Sequence, residues 1–180
     1  MKFRWFASQP TSCVPVVALA FVAAAAFPRP TVEQRKPLTS DIARVLSREG
    51  TWTLNLVKSH YDPGPPPKSG TRTIEPLANG TRQRTEGVDA AGNRVAYEYT
   101  ANYDGRDYPI VGSGIPNEAE TISLKRVDNA TVEATLKKEG KVVLTARSVL
   151  STDGRVLTYT VQGTDVTGRP INNVIIWERR

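Results

Sequence analysis

A single cysteine, a single histidine and a single methionine occur in the 180 residues, and aromatic residues make up only 7%. One cysteine cannot close an internal disulfide, so the fold has to rest on its core. One histidine, His60, removes multi-histidine metal sites, and it sits in a proline-dense segment, which argues against a haem or metal ligand. No Ser/His/Asp set can be assembled around it, no phosphate-cradling glycine loop is present, and the acidic pair Glu118 and Glu120 has no distinguishing context. Catalysis is therefore not expected, nor is any cofactor. The net charge of +6 is not gathered into Lys/Arg clusters interleaved with aromatics. That distribution reads as a mildly basic solvated surface and argues against nucleic-acid binding.

What is present begins with a tripartite N-terminus. Lys2 and Arg4 precede an apolar run from Val14 to Ala26 that closes on small residues, with an Ala-x-Ala site at Ala24 to Ala26. This is the pattern of a secretory signal. The run is about 13 residues, short of the roughly 20 that a transmembrane helix needs. An uncleaved membrane anchor is the alternative; removal of residues 1–26 would leave no stable span and an extracytoplasmic protein, periplasmic or secreted. Cys13 lies before the apolar run, whereas a lipoprotein signal needs its cysteine after it. Cleavage after Ala26 removes two cations and no acids, lowering the charge from +6 to +4. Residues 27–37 are proline-rich and polar and read as a linker. Residues 38–180 are long enough to bury a sizeable core.

One amphipathic helix is expected over Thr39 to Arg48. Ser40 or Asp41 can cap it, Ile42, Val45 and Leu46 share a face, and Glu49-Gly50 ends it. Beyond Gly50 the hydrophobic period becomes two, and strands are predicted at 51–57, 69–77, 81–88, 93–103, 106–111, 120–127, 131–138, 141–150, 155–164 and 171–179. Asn79-Gly80, Asp104-Gly105, Glu139-Gly140 and Asp153-Gly154 place glycine at hairpin reversals, and Ala91-Gly92 and Thr167-Gly168 mark two more. The acceptor-like sequences Asn79-Gly80-Thr81 and Asn129-Ala130-Thr131 read as hairpin turns. Short connections force neighbours to pair antiparallel, and closure removes both edges. The expected fold is all-β, an up-and-down antiparallel meander closed into a barrel of about 8–10 strands.

The opening Gly50-Thr51-Trp52-Thr53-Leu54 resembles that of the calycin proteins, the lipocalins and especially the fatty-acid-binding proteins. Gly140-Lys141, Thr145-Ala146-Arg147-Ser148, Asp153-Gly154-Arg155-Val156-Leu157, Gly163 and Ile176-Trp177-Glu178-Arg179 follow the order of the latter family's final strands. The likeness covers the first strand and roughly residues 138–179 and extends to uncharacterised secreted lipocalin-like bacterial proteins. It implies that Trp52 sits at the closed end and that Arg147 is an inward-facing arginine. It also implies a carboxylate-binding Arg-x-Tyr on the last strand, but Ile175 and Trp177 stand at those positions. The family's helical lid between the first two strands is replaced by the proline segment from Lys58 to Gly70, expected to be extended across the barrel end.

Each candidate residue has two readings. Trp52 is either a core aromatic or a ligand contact. Arg147 either stacks on Trp52 and bonds backbone carbonyls there or binds an anion in a cavity. Tyr97, Tyr99, Tyr159 and Trp177 either line a pocket or fill it, and parity alone does not tell which face of the middle strands points inward. Arg72, Arg82 and Arg84 are expected on a solvated outer face. The functional expectation is a small-molecule-binding protein for a neutral apolar or aromatic ligand, since an acid would lack its cationic partner. The alternative is a structural or interaction module with a filled barrel; no partner protein can be named from sequence.

Overall fold

The computed structural model describes residues 47–180, so the signal and linker assignments and residues 39–46 of the expected helix lie outside the described residues; Ser47 to Glu49 are not helical. Ten strands follow: β1 Gly50–His60, β2 Ser69–Pro76, β3 Gly80–Val88, β4 Arg94–Asn102, β5 Asp104–Ser113, β6 Thr121–Arg126, β7 Thr131–Lys138, β8 Lys141–Leu150, β9 Val156–Thr164 and β10 Pro170–Arg179. Each pairs antiparallel with its sequence neighbours, and β1 pairs with β10, which closes the barrel. The expected all-β meander is therefore the fold. A short 3-10 turn, Pro116–Glu118, is the one helical element among the described residues.

Closure follows from local chemistry. Glu139 and Gly140 both take positive φ, 49° and 73°, the backbone of a two-residue hairpin turn. The Asp89 carboxylate accepts from the Gly92 and Asn93 amides, and Asp128 accepts from those of Ala130 and Thr131, so side chains take over the donors that the strands no longer pair. The β1–β10 ladder is interrupted between Asn55 and His60. There Ser59 Oγ donates to Asn55 O and accepts from the Ile176 amide, stitching the bulge to β10.

Alternation settles the inner face. Tyr97, Tyr99 and Ala101 of β4 point inward, as do Leu144, Ala146, Ser148 and Leu150 of β8. Two buried clusters result. Trp52, Ile74, Leu150, Leu157 and Trp177 pack towards the end where β1 begins. Tyr99, Ala101, Ile110, Ile122, Leu124 and Val132 pack along β4 to β7. The opposite end carries the proline loop, tied to β10 where the Asn172 amide donates to Asp62 O and the Asp62 amide to Asn173 Oδ1.

Candidate functional site

Inside the barrel lies a cavity of about 310 Å³ that reaches the proline-loop end, where Tyr61 and Pro67 contribute to its wall. Its wall combines apolar side chains, Leu54, Leu136, Val161 and Ile175, with Arg72, Gln83, Thr85 and the tyrosines 97, 99 and 159. Trp177 also lines it, and its ring has room because position 70 is glycine: a Cβ there would lie 2.9 Å from the indole.

Four of the six candidates, Tyr97, Tyr99, Tyr159 and Trp177, thus meet in one cavity. Trp52 lies outside that cavity, towards the closed end. It is fully buried, and its Nε1 donates to Arg48 O at 3.0 Å. Arg147 is a correction. Its side chain is half exposed on the outer face and pairs with Glu133 at 2.8 Å, the residue opposite it in the β7–β8 register. The inward neighbour is Ser148, one step along the same alternation. The work expected of Arg147 at Trp52 is divided between two other arginines. Arg179 stacks on the Trp52 ring, 4.4 Å from its centroid, and donates to Gly154 O. Arg48 donates to Ser148 O and Ala130 O. Together they lash residues 47–49 across that end.

Arg72 is the second correction. Arg82 and Arg84 do lie outside, paired with Glu98 and Glu86, but Arg72 is only 8% exposed and faces the cavity. Its guanidinium sits 4.6 Å from the centroid of Tyr159 and 4.3 Å from that of Trp177. Nε reaches Thr85 Oγ1 at 3.3 Å, while Nη1 is buried without a partner among the described residues, and so is Trp177 Nε1. The signal was present in sequence: Arg72 shares parity with Ile74, the one large apolar residue of β2. The expected preference for a neutral ligand rested on a missing inward cation, and β2 supplies one.

Burial disfavours the charged form of Arg72; Tyr159, Tyr97 and Tyr99 outweigh it only as phenolates, in alkali, where the guanidinium holds its proton more tightly than usual. Burial pushes the Tyr61 phenol up to about 12 and raises Tyr99 further, with Tyr159 beside it adding to the effect. Both phenols therefore bind their proton more tightly folded than unfolded. Their contribution to stability is intact below the ordinary value of 10.0 and is lost as pH rises through the raised one. Denaturant midpoints should hold steady to about pH 9.5 and decline from there to about pH 12, less steeply in Tyr99→Phe. A midpoint unchanged across that range would contradict the buried placement of the two rings.

Among the described residues, no three His, Cys, Asp or Glu side chains converge as a metal site, and no helix is long and apolar enough to cross a membrane. His60 is exposed on β1. No family model matches the chain, and no curated protein does. The closed ten-strand meander is compatible with a calycin-like barrel.

Proposed function

We propose that this chain is an extracytoplasmic small-molecule-binding protein whose barrel holds one mainly apolar, ring-bearing ligand. The observation that carries the reading is the interior cavity itself. At about 310 Å³ it lies at the lower end of the roughly 300–1,000 Å³ range of small-molecule sites, the space of a molecule of two or three rings. Aromatic and apolar walls with a few convergent polar groups are the usual make-up of such sites. The resemblance of the first and last strands to lipocalins and fatty-acid-binding proteins supports the same reading, and the signal-like N-terminus supports export. A barrel filled by its own side chains, the alternative, is disfavoured by that volume. Among the described residues no hydroxyl on the cavity wall is hydrogen-bonded to a His, Asp or Glu, which favours binding over catalysis. Titration with the neutral fluorophore N-phenyl-1-naphthylamine tests the proposal. One saturable site of micromolar or better affinity is expected, and an absence of saturable binding would overturn it.

A further inference from the structure

We infer that the polar end of the interior ligand is a carboxylate, received by Arg72, so that the barrel selects small aromatic acids. The inference rests on the cavity-binding reading above and adds to it the ligand's charge. Arg72 is a buried cation without a buried anion. The two acids that border the cavity, Glu86 and Asp89, are already engaged, Glu86 by Arg84 and Arg94 and Asp89 by the Gly92 and Asn93 amides. At neutral pH the groups around that guanidinium are uncharged, the Thr85 hydroxyl and the Tyr159 and Trp177 rings, so its charge has no counter-ion inside the barrel. Arg72 borders the cavity, and its Nη1 and the neighbouring Trp177 Nε1 are buried donors without a partner among the described residues. A carboxylate offers two acceptor oxygens and the full negative charge that the surroundings of Arg72 lack. Tyr97 and Tyr159 line the same chamber, and the volume leaves room for a ring system behind the acid group.

Such a cation also has a signature that a structural arginine lacks. A group held in place for a ligand destabilises the empty protein, so its replacement by an apolar side chain of similar length should leave melting unchanged or raise it. The test is calorimetric titration of the purified protein with 1-naphthoate and with 1-naphthamide, which share a ring and differ in charge. The acid should bind about 10- to 100-fold more tightly than the amide, the worth of one charge-assisted hydrogen bond. In Arg72→Met the two should fall within about threefold of each other, with the melting temperature of the empty protein not lowered. Equal binding of acid and amide to the wild type, or undiminished acid binding by Arg72→Met, would overturn the inference while leaving the cavity reading intact. So would binding of N-phenyl-1-naphthylamine with no binding of either naphthalene compound. Failure of all three compounds would overturn the cavity reading with it. If Arg72→Met does not fold, Arg72→Gln takes its place, and unfolding of both variants would show the guanidinium to be structural and overturn the inference.

Discussion

Trp52→Ala is expected to destabilise the protein by about 3–5 kcal/mol, the largest single loss available at a side chain of this barrel. Trp52 has no solvent exposure and packs with Ile74, Leu150, Leu157 and Trp177. Its removal would leave a hole that strands locked on both sides cannot collapse to fill. It would also take away the ring on which Arg179 stacks and the donor that holds Arg48 O. The anchoring of residues 47–49 therefore weakens with the core. Since a domain of this size is stable by roughly 5–15 kcal/mol, about a fifth or more of the total is at stake. Urea unfolding followed by circular dichroism measures it, with Val57→Ala as the control. Val57 is 97% exposed, so its truncation should change stability by less than about 0.5 kcal/mol. A Trp52→Ala midpoint near that of the wild type would mean that this end of the barrel is not sealed as described.

Gly112→Ala is expected to be nearly as costly, and for a backbone reason. β4 and β5 are paired only between Ala96–Tyr99 and Ile110–Ser113, the shortest ladder outside the β1 junctions and the β5–β6 seam. Gly112, opposite Tyr97, has φ +129°, and a Cβ there would lie 2.1 Å from Ala96 O and 2.6 Å from Tyr97 Cα. Both are main-chain atoms of the partner strand, so relief requires the strands to part. Backbone strain of about 1–3 kcal/mol adds to a similar overpacking cost, giving roughly 2–6 kcal/mol. Gly105→Ala is the matched control: its φ is +77°, but nothing lies within 4 Å of the added methyl, so only the conformational part should appear. Hydrogen exchange should show the β4 and β5 amides losing protection first in Gly112→Ala. Equal losses in the two variants would show that the close approach of β4 and β5 does not matter.

Much of the architecture was legible because the hairpin glycines and the two-residue period act locally. Strands 131–138 and 141–150 coincide with β7 and β8, where Glu139-Gly140 sets the turn. β5 extends beyond the predicted 106–111: Asp104-Gly105 resembles a reversal, but the chain turns a residue or two earlier, and Asp104 already pairs with Lys125 of β6. The insertion between Asn55 and His60 left no turn signature, since Ser59 and Asn55 make it with side-chain bonds inside an apparently continuous strand. The aromatic members of the cavity could be named from their types, but the arginines could not be sorted by type. Arg72 and Arg147 differ by which side of a strand they leave, and one step of parity exchanges a buried cation for a solvated ion pair. For Arg72 the shared parity with buried Ile74 points inward; for Arg147 the exposed pair with Glu133 shows the outward face.

The claim that a ligand occupies the barrel interior is tested most directly by closing that space and asking whether binding goes with it. Ala146 lines the cavity on β8, opposite Ala134 on β7, so a phenyl ring at position 146 would project into the space the ligand is proposed to fill. Titration of Ala146→Phe with N-phenyl-1-naphthylamine, beside the wild type, should show affinity reduced by at least about tenfold while melting is retained or raised, as filling a void tends to do. Unchanged affinity in a folded Ala146→Phe protein would place the bound probe outside the barrel and contradict the account.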